Sequence, residues 1–293
     1  MTQIQLSDQP VPIDKIGCFF SPLDLGLDQG RGQSEGEGGQ GGTAVGPLVG
    51  RGCLRSTEPP YWLGPFSTLT ERYLVQIECA LQYILLGAVC PWALVDGYLW
   101  HLELRELVTG CSVLAEKSDE LYVRHDDARG DHLLGDEEYQ VTGIIDWQWA
   151  YVTTKAQAFA PPQVFYESSA YMFDGDNSLT RDEKVLMEIH MREGREDLAG
   201  CVKHGRLYQR LGRIEQYDKA YAKSGFTEVF TPFRPSGFDL DPPAEDCQWR
   251  VCMMKRYKDD EGLHEIMKKH NWTIERAEEI ARSEDKSVRK VEA

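Results

Sequence analysis

No run among the 293 residues approaches the roughly 18 consecutive apolar side chains that a membrane-spanning helix needs. The opening residues, MTQIQLSDQPVPIDKIG, carry neither a basic segment nor an apolar stretch of the kind that directs secretion. The eight cysteines, at 18, 53, 79, 90, 111, 201, 247 and 252, form no CxxC pair and have no histidine companion at zinc-ligand spacing. They are expected to be reduced, mostly buried thiols in a cytoplasmic protein. Positive charge is scarce: 32 Lys and Arg against 48 Asp and Glu leave a net charge of −16. Such a surface repels phosphates, which argues against nucleic acid or an anionic membrane as partner and leaves room for a cationic small-molecule substrate. Lysine is rare at the start, Lys15 being the only one before Lys117.

What is present suits a folded, soluble chain. Hydrophobic residues make up 41% and charged ones 27%, and the length allows a sizeable core. Composition divides the chain into residues 1–20, with a short apolar run at Ile16 to Phe20; 21–52, Gly-rich, acidic and polar; 53–283, the main domain; and 284–293, a Lys- and Glu-rich tail expected to fray. The second segment is expected to be a disordered insertion, dispensable over 21–46. Its Gly30-Arg31-Gly32-Gln33-Ser34-Glu35-Gly36 misses the GxGxxG spacing, no GxxxxGK[ST] occurs, and Glu35 and Glu37 would oppose a phosphate.

Helical periodicity dominates the rest. Thr68 and Glu71 form a capping box before Tyr73, Ile77, Leu81 and Ile84, predicting a helix over 68–86. A second should start after Pro91, with Leu94, Leu99, Leu102 and Leu107 on its apolar positions, and further helices are predicted over 180–193, 196–215, 215–224, 246–269 and 273–282. Phe226 to Pro243 reads as a loop. His101 has no partners at ligand spacing and reads as a satisfied core or surface histidine, not a ligand. The run Asp174-Gly175-Asp176-Asn177-Ser178 lacks the Gly and the terminal Glu of a calcium loop and reads as the entry to the helix capped by Thr180 and Glu183.

Polar residues capable of chemistry sit between two β-prone runs in LYVRHDDARGDHLLGDEEYQVTGIIDWQWA, residues 121–150. The runs are Leu121-Tyr122-Val123 and Val141-Thr142-Gly143-Ile144-Ile145, the latter ending abruptly in Asp146. A chain reversal at Asp136-Glu137-Glu138 would lay 132–134 beside 140–145 and bring Asp127 and Asp146 together. A phosphoryl-transfer site needs a carboxylate to take the substrate hydroxyl proton and ligands for Mg²⁺, and Asp127, His132 and Asp146 could fill those roles. By themselves the same residues also read as an acidic surface turn and a strand end.

The pattern His125-x-Asp127-x-x-x-x-His132 followed by Ile144-Ile145-Asp146-Trp147 resembles the catalytic and metal loops of the aminoglycoside phosphotransferase family, and of its fungal branch in particular. Segments similar to FDGDNSLTRDE, GREDLAGCVKHGR and RYKDDEGL also occur downstream in that branch. The resemblance, over roughly residues 11–272, implies an α+β, predominantly helical fold: a protein-kinase-like C-terminal lobe with a small β-hairpin carrying both loops. It implies Asp127 as catalytic base, Asp146 as principal metal ligand, His125 as a structural brace, and Mg²⁺ and ATP as cofactors. His132 departs from the family, which usually has Asn there, and imidazole is a poorer partner than an amide oxygen for Mg²⁺. The N-terminal lobe, with its Gly-rich hairpin and strand Lys, is expected to be missing. Three classes of function stay open: ATP- and Mg²⁺-dependent phosphoryl transfer to a small-molecule hydroxyl, a catalytically silent kinase-like binding or scaffold protein, and a fragment of a longer enzyme.

Overall fold

A computed structural model describes residues 10–20, 44–50, 54–91, 93–127, 129–212, 214, 229–234 and 246–291, without the side chains of residues 20, 44, 231, 246, 247 and 284–291. The described residues form an α+β protein in which helix dominates. They divide into two compact units, the first drawn from Met1–Arg72, Ala115–Tyr166 and Thr180–Gly205, the second from Tyr73–Leu114, Glu167–Leu179 and Arg206–Ala293.

All described strands belong to the first unit: β1 (Gly17–Phe20), β2 (Ala44–Val45), β3 (Leu121–Arg124), β4 (Leu133–Gly135), β5 (Val141–Ile144) and β6 (Tyr151–Thr154). Strand β3 pairs antiparallel with β6 along its length, Leu121 opposite Thr154 and Arg124 opposite Tyr151. Strand β6 then pairs with β1 through Gly17 and Cys18, and the outer half of β1 takes β2 through Phe19 opposite Val45 and Phe20 opposite Ala44. Strands β4 and β5 form a separate two-stranded hairpin. The sequence reading placed no strand at 151–154, although Val152, Thr153 and Thr154 are β-branched.

Two of the expected chain segments change. Residues 44–50 fall in the stretch read as a disordered insertion, yet Ala44–Val45 forms β2 and Leu48, 5% exposed, bridges to Leu63. Ala44-Val45-Gly46-Pro47-Leu48-Val49 is apolar enough to be buried, unlike the Gly-rich residues before it. Close approach explains Gly17 here, because a Cβ would lie 2.1 Å from the Gly46 carbonyl oxygen. Residues 21–43 and 51–53 lie outside the described residues. The second change is at the other end: a helix runs over Ile274–Val291, where 284–293 was expected to fray.

The first unit's helices follow their caps. Helix α1 (Leu69–Leu85) begins where the Thr68 hydroxyl accepts the Glu71 amide at 3.1 Å, while the Glu71 carboxylate takes the amide of Ser67 at 2.6 Å. Only the start of α1 belongs to this unit. Thr180 and Glu183 make the full reciprocal capping box that starts the helix Arg181–Arg192. The helix expected over 196–215 stops at Lys203, and a new one starts at Arg206. Gly205 marks the break, since a Cβ there would come 2.7 Å from Pro161.

Among its described residues the second unit is helical. Helix α2 (Leu94–Gly110) is buried almost all round, His101 and Glu103 included. His101 Nδ1 lies 2.6 Å from the Gly97 carbonyl and Nε2 2.9 Å from that of Ile214, and burial pushes the ring's pKa down. Buried Arg210 donates to the carbonyls of Tyr171 and Asp176 and to Asn177 Oδ1, at 3.0, 2.9 and 2.9 Å, with its guanidinium 3.7 Å from the Tyr171 ring centre. Asp174 to Ser178 is thus a cradle for an arginine. The helix expected over 246–269 is two, Asp246–Arg256 and Glu261–Lys269, the second capped by Asp260 accepting from the Leu263 amide at 3.0 Å. The prediction over 215–224 and most of the loop at 226–243 lie outside the described residues.

Phe20 and Ala44 face each other across β1 and β2. Replacing residues 21–43 by a two-residue Asn-Gly turn is therefore expected to leave the unfolding free energy in urea within about 1 kcal/mol of the full chain. Extending the cut through 46 removes β2 and the Gly46 amide that donates to Cys18 at 2.9 Å, and should cost measurably more. Equal stability of the two deletions would show that β2 contributes nothing.

Candidate metal centre

The centre is assembled where β3 ends and the β4–β5 hairpin begins and ends. Arg124, the last residue of β3, donates through Nη1 to the carbonyls of Gln157, Ala158 and Ala160, which fixes the point where the loop departs. His125 follows, buried, with Nε2 3.0 Å from the carbonyl of Ile145, the residue before Asp146. Its ring meets Trp147 edge-on at 5.0 Å and lies 5.3 Å from the His132 ring. One imidazole thus ties the start of the loop to the far end of the hairpin.

The hairpin turns where Asp136 Oδ1 accepts the amides of Glu138 at 3.1 Å and Gln140 at 2.7 Å, a side chain standing in for a backbone turn. Leu133 faces Ile144, and the ladder continues one step as the Ile145 amide donates to the His132 carbonyl at 3.0 Å. His132 therefore sits across the ladder's end from Ile145, one residue before Asp146. Asp146 has φ 63° and ψ 55°, the left-handed region that Asp tolerates better than most residues. The chain then enters a 3-10 turn, Trp147–Trp149, with the indole of Trp147 donating to the Ile144 carbonyl at 2.8 Å.

The three residues singled out in the sequence come together. One potential ligand atom from each of Asp127, His132 and Asp146 lies within 4.8 Å of the others. His132 Nε2 is 3.2 Å from Asp146 Oδ2 and 3.8 Å from Asp127 Oδ2. Asp127 and His132 are buried, whereas the Asp146 side chain is 35% exposed and opens the group toward solvent. Two carboxylates and an imidazole are a donor set that suits a divalent cation. The donor set fits Mg²⁺, and the nitrogen makes it better suited to Mn²⁺.

Three neighbours were not read from the sequence as parts of the site. Arg129 grips Asp127 with both arms of its fork, Nε to Oδ1 at 2.7 Å and Nη2 to Oδ2 at 3.3 Å. Asp131 Oδ2 lies 3.7 Å from the same Nη2, and Asp131 Oδ1 lies 3.0 Å from His132 Nδ1, without the alignment of a hydrogen bond. Gly130, between them, has φ +99°, a conformation that an L side chain rarely adopts. An arginine two residues after an aspartate was the available signal, but nothing in the spacing says which carboxylate it takes. Lys15, the early lysine, donates to the Ser67 hydroxyl at 2.6 Å.

Compared with protein-family models, curated proteins and solved structures, the chain matches none. Among the described residues no helix is long and apolar enough to cross a membrane.

If His125 braces the loop, His125→Phe keeps a ring in place but leaves the Ile145 carbonyl without that donor. The substitution is expected to lower the unfolding free energy by about 1 kcal/mol, the net contribution of one part-buried hydrogen bond. Unchanged stability in urea would show that the contact does not hold the loop.

Proposed function

We propose that the chain is an aminoglycoside phosphotransferase-like protein whose hairpin centre binds a divalent cation and, through it, the phosphates of ATP. The observation that carries this reading is the convergence of Asp127, His132 and Asp146 within 4.8 Å at the open end of a two-stranded hairpin. In the reaction the family resemblance implies, Asp127 accepts the proton of the substrate hydroxyl as that oxygen bonds to phosphorus, and ADP leaves. Asp146 and His132 would hold the cation, which supplies neutralising charge to the phosphate oxygens. Asp146 suits this role because the hairpin fixes its backbone while its carboxylate remains reachable. The net charge of −16 favours a cationic acceptor such as an aminoglycoside or other amino alcohol.

A second reading, a catalytically silent nucleotide- or metal-binding protein with a kinase-like fold, is favoured by one observation: both oxygens of the candidate base are already engaged by Arg129. A carboxylate whose two oxygens already accept from a guanidinium has those acceptor positions taken before a substrate hydroxyl arrives. Binding is therefore expected to persist while turnover stays near background.

Calorimetric titration of Mg·ATP separates the outcomes. The expected result is weak, metal-dependent binding that Asp146→Ala abolishes, with little ADP release in a coupled assay containing an aminoglycoside. Robust turnover lost in Asp127→Asn would make the chain an active enzyme with the site as assigned. ATP binding indifferent to metal and to Asp146→Ala would remove the site assignment.

A further inference from the structure

We propose that Arg129 is an internal cation that latches the centre: its guanidinium occupies both oxygens of Asp127 and has to move to Asp131 before a divalent ion can take Asp127 as a ligand. The inference rests on the second reading above, in which Asp127 joins His132 and Asp146 as a ligand instead of serving as a base, and adds a residue that sets how tightly the centre binds.

The geometry gives the latch a fixed end and a movable one. The Asp127 side chain is 8% exposed, whereas Arg129 is 43% and Asp131 62% exposed. The arm can therefore swing at the surface while its anchor stays in place. In the closed position the two bonds of 2.7 and 3.3 Å match the planar fork to the carboxylate, a fit that lysine cannot reproduce. The alternative partner is already within reach, with Asp131 Oδ2 3.7 Å from Nη2. A divalent ion at Asp127 and a guanidinium on the same carboxylate would repel each other, so the two cations compete for it. Cation binding then includes the work of opening the fork, and Asp131 offsets part of it by receiving the released charge.

The latch makes a prediction that separates it from a plain effect of charge. Mn²⁺ alone is titrated calorimetrically into the full chain, Arg129→Gln, Arg129→Lys and Asp146→Ala. Opening one half-exposed bidentate pair should be worth about tenfold in Kd, so Arg129→Gln is expected to bind Mn²⁺ about tenfold more tightly than the native chain. Arg129→Lys keeps the charge but loses the fork, and is expected to gain at least about threefold. Asp146→Ala is expected to lose binding. If Arg129→Lys matches the native chain, or if either Arg129 variant binds more weakly, the latch is wrong while the metal centre stands. If none of the chains binds Mn²⁺, or if Asp146→Ala binds as the native chain does, the centre itself is wrong and the latch falls with it.

Discussion

The register of one short hairpin sets the geometry of the centre. Leu133 opposite Ile144, extended by the Ile145 amide on the His132 carbonyl, is what puts His132 and Asp146 at the same end of the ladder. A slip of one residue would turn every side chain of that strand to the other face and carry its neighbours with it. An isolated two-stranded hairpin is only marginally stable in water, and here it is tied down at its open end. His125 reaches from the end of β3 to the Ile145 carbonyl, and Trp147 closes back on Ile144. The same contacts that hold the hairpin in register therefore bring the carboxylates together.

Charge in this small region is concentrated around one imidazole. Asp127, Asp131 and Asp146 surround His132, and Arg129 supplies one positive charge to the most buried of the three carboxylates. Burying Asp127 without a counter-ion would carry a large desolvation penalty, so a partner in the native state is a physical requirement. Arg129 meets that requirement from within the chain. A divalent ion would meet it from outside, and under the proposed latch the two cations compete for the same pair of oxygens.

Much of this was legible in the sequence, for reasons that particular residues make plain. A β-branched run that ends in an aspartate, and an acidic turn that can close on its own amides, identified the hairpin, and the helices announced by Thr68 with Glu71 and by Thr180 with Glu183 begin at those caps. Strand β6 was not seen because four residues squeezed between a 3-10 turn and a helix carry little periodic signal, and their pairing with β3 and β1 is a tertiary fact. The breaks at Gly205 and Asp260 were missed because apolar periodicity runs through both, although Asp260 stands as a readable cap for the helix after it. Arg129 could be located but not assigned, since a flexible fork with several acidic neighbours chooses its partner by geometry that spacing does not encode.

The central claim, that Asp127, His132 and Asp146 form one cation-binding centre, is tested most directly by anomalous diffraction from crystals of the full chain grown with Mn²⁺. The account predicts an anomalous peak at bonding distance from Asp146 and His132, with Asp127 turned to the ion and Arg129 moved toward Asp131. A peak elsewhere, with these three side chains undisturbed, or no peak at saturating Mn²⁺, would contradict it.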